Sequence, residues 1–188
     1  MKRLVVLFFI LGAVLLIGLY AQSGASGTVE ISFSYTRQPG AASNQFAVWV
    51  EDAGGRVVKT IYATEFTARG GWERRPESIP QWVSRSGLSA MSRQGIDAFT
   101  APTPRPGTLR YTWDGTGVDG AALPPGTYQV FLEATLRREN RVLYQAAVEL
   151  GGAAAEIAAE PRYFGTGTAE RDMIGQVAIR VRPRPGLS

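Results

Sequence analysis

The sequence predicts an all-β domain. The expected form is an immunoglobulin-like antiparallel β-sandwich with one long Trp-containing insertion, following an N-terminal signal segment. Three observations carry that expectation. Apolar residues recur with period two in seven or so short stretches, as in half-buried strands. Turn residues, drawn from 22 Gly and 11 Pro, separate those stretches. Finally, 188 residues at 45% hydrophobic content support one core and are too few for two comfortable ones.

The first element is for targeting. Lys2 and Arg3 precede an unbroken apolar run, Leu4 to Leu19, and then the small-residue stretch Ala21 to Ala25. This is the three-part pattern of a secretory signal, with cleavage after Ala21, Ser23 or Ala25. Residues 1–23 are thus expected to leave, and 24–188 to form one mature domain. An uncleaved membrane anchor is the alternative, but the run is shorter than the ~20 residues that span a bilayer. Export implies the periplasm or the cell exterior. Without Lys2 and Arg3 the balance is 18 basic against 16 acidic residues, a net +2. Such a chain has no strong electrostatic claim on nucleic acid, and no nucleic-acid partner is expected.

The strands follow in order. Val29, Ile31, Phe33 and Tyr35 alternate with Glu30, Ser32 and Ser34. Phe46, Val48 and Val50 run into the turn Glu51 to Gly55, and Val57 to Tyr62 returns as the second arm of a hairpin. Leu109, Tyr111 and Trp113 form the next strand. Tyr128 to Leu136 and Val142 to Leu150 flank Arg138-Glu139-Asn140 as a second hairpin. The run Ala153 to Ala159 reads as either a helix or a short edge strand. Val177, Ile179 and Val181 close the pattern before Pro183 and Pro185 forbid further pairing.

Residues 65–106 break the alternation. They carry Trp72, Trp82, Pro76 and Pro80, and Ser78 with Pro80 can open one short helix bearing Trp82 and Val83. Insertions of this length are uncommon without a purpose. Two readings stand: both tryptophans plug one end of the sandwich, or Trp72 and Trp82 form an exposed aromatic platform for a partner, sugar or flavin ring.

Composition excludes whole classes of chemistry. There is no Cys and no His, hence no Ser-His-Asp triad, cysteine nucleophile, disulfide framework or conventional zinc site. Glu51 with Asp52, and Glu73 with Glu77, are the carboxylate pairs a hydrolase would need, but spacing along one segment does not establish a cleft. Arg74-Arg75 and Arg137-Arg138 stand beside Glu73 and Glu139 and read as local salt bridges. No metal is expected. Asp114 and Asp119 could suit calcium, but turn chemistry accounts for both.

The most distinctive constellation is Trp113-Asp114-Gly115, then Asp119-Gly120, then Pro124-Pro125-Gly126-Thr127-Tyr128. Physically it is strand, turn, strand: Trp113 ends a strand on its core face, Asp114, Gly115 and Gly120 turn the backbone, and Gly126 resets it before Tyr128 re-enters the core. This pattern resembles the immunoglobulin-like repeats of flagellar hook-capping proteins. Together with Phe46-Ala47-Val48-Trp49-Val50-Glu51-Asp52 and Glu133-Ala134, it more closely resembles a predicted periplasmic family, domain-of-unknown-function family 2271. The resemblance covers roughly Thr28 to Gly152. It implies a periplasmic sandwich of unassigned activity, encoded near or fused to flavin transferases and PepSY-type membrane proteins.

Asp97-Ala98-Phe99-Thr100-Ala101-Pro102-Thr103 resembles a degenerate form of the segment that flavin transferases modify. That resemblance implies an FMN phosphoester on the hydroxyl of Thr103, with Asp97 and Thr100 at the remaining motif positions. Ala101 and Pro102 depart from the pattern, and Pro102 stiffens the backbone before Thr103. An extended proline-rich connector explains the same residues.

The first functional expectation is therefore a non-enzymatic exported module with no cofactor. It acts through a periplasmic or membrane protein partner, a PepSY-type protein or a flavin transferase among the candidates. A covalent FMN carrier modified at Thr103 is the second expectation, and a carboxylate-dependent hydrolase the third.

Overall fold

Val29, Ile31, Phe33 and Tyr35 point to one side of β1 (Gly27–Tyr35) and are buried, so the period-two pattern becomes a core face. The computed structural model describes residues 27–40, 44–168 and 170–183. The expected signal segment, residues 1–23, and its alternative as an anchor lie outside the described residues. Among the described residues, no helix is long and apolar enough to cross a membrane.

Eight further strands follow: β2 (Gln45–Glu51), β3 (Val57–Thr64), β4 (Thr100–Ala101), β5 (Gly107–Trp113), β6 (Gly126–Arg137), β7 (Asn140–Leu150), β8 (Ala155–Phe164) and β9 (Val177–Pro183). They form one nine-stranded sheet in the order β4-β3-β2-β6-β7-β8-β9-β1-β5. Every pairing is antiparallel except β3 with β4, which is parallel, so the sheet is mixed rather than wholly antiparallel. The chain is thus β-rich, as expected, and its sheet is curled. The curl brings inner faces together: the Phe33 and Phe46 rings meet edge-on at 5.7 Å, and Trp113 meets Tyr128 at 5.2 Å. One apolar core fills the space between.

β8 makes the corner. Its first half, Ala155–Ala159, pairs with β9, and its second half pairs with β7 from Glu160 to Phe164. The run Ala153 to Ala159 is therefore strand rather than helix from Ala155 onward, and it is paired along one side only, with β9. The strand changes partner at Glu160, and its small residues, followed by Pro161, weaken the alternation that identified the other strands.

Within residues 65–106, the stretch ahead of β4 forms a helical cover. It comprises a π-helical turn (Thr67–Gly71), α1 (Trp72–Arg74), α2 (Pro80–Ser86), a 3-10 turn (Leu88–Ala90) and α3 (Arg93–Asp97). Pro80 opens α2, as its fixed φ favours. The cover lies on the outer face of β2, β3 and β6, where Ile79, Trp82 and Leu88 close a second core over Ala47, Trp49, Ala63 and Phe131. The tryptophans do not plug an end of the sandwich. Trp82 is wholly buried, which also removes it from any exposed platform, while Trp72 is half-buried against the same cluster. A side chain of this size buries about 150–250 Å². At ~25 cal/mol per Å² that is on the order of 4–6 kcal/mol.

The sheet has two unequal ends. β4 covers only Ala63 and Thr64 of β3, whose pairing with β2 carries two register shifts. β5 pairs with β1 from Gly107 to Trp113 without a shift. Tyr62 of β3 and Tyr111 of β5 meet at 4.9 Å across the seam between these ends.

Candidate functional site

The turn after β5 is held by its own residues. Trp113 is buried and donates its Nε1–H to Thr116 O at 2.9 Å. Asp114 Oδ1 accepts from the Thr116 N–H at 3.0 Å and hydroxyl at 2.6 Å, and Asp119 Oδ1 accepts from Ala121 N at 2.9 Å. Partial burial works against the Asp114 carboxylate, but the Thr116 bonds and the Lys59 charge hold its pKa below the usual range. Gly115 (φ 76) and Gly120 (φ 77) supply the left-handed conformations that the turn requires. Gly126 opens β6, and Tyr128, buried, donates its hydroxyl to Pro124 O at 2.9 Å. Both carboxylates are engaged in turn geometry.

The segment Asp97 to Thr103 borders the other side of the seam. Asp97 ends α3, exposed, with Arg69 Nη2 at 2.9 Å; Arg69 also bonds Glu65 at 2.9 Å. Thr100 does not lie in a loop: it pairs in β4 opposite Ala63, and its Oγ1 is buried with no hydrogen-bond partner. Pro102 is exposed, and its carbonyl accepts from the Tyr62 hydroxyl at 3.2 Å. Thr103 follows β4, half-buried and outside regular structure.

These two motifs, which end at Thr103 and begin at Trp113, border one groove. Its walls are Ala98 and Phe99 from the first segment, Ser86, Met91, Ser92 and Gly95 from the cover, Val57 and Thr60 of β3, and Val118 from the turn after β5. The volume is about 470 Å³, within the range of small-ligand and side-chain sites. Lys59 is the single charged lining residue, and its Nζ donates to Thr116 Oγ1 at 3.2 Å and Gly117 O at 3.0 Å. Val118 is 74% exposed, the one large hydrophobic side chain exposed among the described residues. Trp72 lines a different cleft, with Leu88, Met91 and Ile96.

The carboxylates considered for hydrolysis serve the structure. Glu51, buried, accepts from Trp49 Nε1 at 2.7 Å and pairs with Arg85 at 2.7 Å. Asp52 closes the β2–β3 turn, where bonds from Arg56 and Gly54 lower its pKa. Glu77 lends its backbone carbonyl to Thr135 Oγ1 at 3.1 Å. Glu73 is exposed beside Trp72 in the second cleft. The basic pairs also differ from expectation. Arg74 and Arg75 lie over the Phe66 ring, and Arg137 pairs with Glu170.

Sequence reasoning missed Lys59, Val118 and the role of Glu133. Glu133 is wholly buried in β6 and accepts from Trp82 N at 2.8 Å, Gln81 N at 3.2 Å and Arg141 Nη1 at 3.1 Å. Burial pushes its pKa up against the pull of those bonds. A charged residue inside Phe131-Leu132-Glu133-Ala134 was the available signal.

Comparison with known proteins gives one match. A family model described as "Predicted periplasmic protein (DUF2271)" matches residues 27–165. No curated protein matches, and no solved structure does.

Proposed function

The chain belongs to the DUF2271 family of predicted periplasmic proteins, and on that premise we propose a non-catalytic module that docks a protein partner in the groove between Phe99 and Val118. One observation carries this reading. The large hydrophobic side chain left in solvent, Val118, rims an apolar groove rather than standing alone on the surface. The immunoglobulin-like description of the scaffold is also our reading, supported by the facing of the two sheet halves through Phe33–Phe46 and Trp113–Tyr128.

The test is a photo-crosslinking residue at position 118, activated in the periplasm of the native host, with the adduct identified by mass spectrometry. A discrete partner that disappears when Met91→Asp is added supports docking. Absence of any adduct, with the same residue reactive in an exposed control position, overturns it.

A second reading, the FMN carrier, is favoured by one specific observation. Thr103 carries its hydroxyl on an irregular segment tethered by a two-residue strand, with an unpartnered Thr100 hydroxyl at its base. Coexpression with a flavin transferase and intact mass decide it. Covalent yellow fluorescence lost in Thr103→Ala supports the carrier, and an unmodified mass beside a labelled control acceptor removes it.

A further inference from the structure

The chemistry of the groove narrows its occupant further. Lys59 is its single charged lining residue, and both acceptors of its Nζ are neutral oxygens. No carboxylate among the described residues forms an ion pair with it. Asp114 feels the Lys59 charge, which helps lower its pKa, but makes no ion pair with it, and its Oδ1 accepts from Thr116. An ammonium carries three donors, and two are used. Of the remaining lining residues, Val57, Met91, Ala98, Phe99 and Val118 offer apolar surface, and Thr60, Ser86 and Ser92 add hydroxyl-bearing side chains. A matching occupant brings one apolar side chain and one anionic group close together.

The edge beside the groove decides how that occupant enters. A polypeptide running through would add as a strand along β3, which needs a regular free edge. β3 has two register shifts against β2, and bulges of this kind discourage strand addition. End-on entry requires no such edge. Resting on the docking reading above, we propose that the groove receives the C-terminus of a partner polypeptide. The last apolar side chain sits between Met91, Phe99 and Val118, and the α-carboxylate binds Lys59 Nζ.

The probes are the peptide Gly-Ser-Gly-Ser-Val-Phe as free acid, the same peptide as C-terminal amide, and octanoate. Binding to the full chain is followed by the NMR methyl signals of Val57, Met91 and Val118. The free acid is expected to shift these signals and to bind about tenfold more tightly than the amide, a difference of ~1.4 kcal/mol. Lys59→Gln should erase that ratio, and Lys59→Arg should retain part of it. Equal binding of acid and amide overturns the proposal, as does silence of both peptides. Octanoate matching the acid peptide also overturns it, in favour of a small carboxylate. A crosslinked partner at 118 together with equal acid and amide affinities leaves the docking reading standing and removes only the carboxylate. Acid-selective binding without a crosslink does the reverse.

Discussion

Glu133 and Glu51 hold opposite ends of the same seven-residue helix. Glu133 accepts from the Gln81 and Trp82 amides at the start of α2, and Glu51 pairs with Arg85 in its last turn. Each carboxylate projects from the outer face of the sheet, one from β6 and one from β2. The arrangement puts negative charge at the amino end of the helix and satisfies amides that burial would otherwise orphan. It also gives physical content to residues that carried the family resemblance, since Trp49, Glu51 and Glu133 all serve this anchorage.

The first prediction separates the two anchors. Glu133→Ala takes the partner from the half-buried Arg141 and from two amides at the start of α2, and should cost about 3–5 kcal/mol. Glu51→Ala should cost less, about 1–3 kcal/mol, because Arg85 can turn to water. Urea denaturation measures both. Equal losses would mean that the amino end of α2 is not the stronger attachment.

Thr100 offers a gain instead. Its Oγ1 is buried without a partner, so Thr100→Val keeps the shape and removes the unmet hydroxyl. The variant should be more stable by about 1 kcal/mol, read as a raised midpoint in thermal unfolding. A lowered midpoint would show that a solvent molecule normally serves that oxygen.

Trp113 and Thr116 are bonded neighbours with unequal stakes. Trp113→Ala empties a core site and should cost about 3–5 kcal/mol. Thr116→Ala removes one exposed and one half-buried hydroxyl bond and should cost below about 1 kcal/mol. Matching denaturation midpoints would undo the assignment of Trp113 as the core end of β5.

The tyrosines set an alkaline limit. Burial raises the pKa values of Tyr62, Tyr111 and Tyr144 above the ordinary tyrosine value. The native state thus keeps protons that the unfolded chain releases once pH passes about 10. Stability should be unaffected by these groups below that pH and fall as it rises further. Ultraviolet titration of the phenolates should show these three ionising together with unfolding. Smooth early ionisation of Tyr62, Tyr111 and Tyr144 would contradict their placement.

Val29 to Tyr35 was legible because one face is polar and one is core, and Tyr128 to Leu136 keeps the same period although the cover buries its second face. β8 was not, since a strand that changes partners midway has no constant inner face to advertise. The cover was visible only as a gap in the pattern. Short helices such as α2 owe their existence to Glu133 and Trp82 contacts more than 50 residues apart, which no local window contains. The turn Asp114 to Gly126 was legible as a turn. That it faces Phe99 across a groove was not, because that juxtaposition depends on the curl of the whole sheet.

The position of β1 has a consequence for synthesis. It lies between β5 and β9, with Gly27 opposite Pro183, so the earliest described strand waits for the latest before both of its edges are bonded. Closure over so many intervening residues is slow. During elongation the nascent polypeptide cannot complete its native contacts, whatever its intrinsic stability. For a member of a family described as periplasmic, the consequence is a chain that cannot lock into its native sheet until β9 has been made.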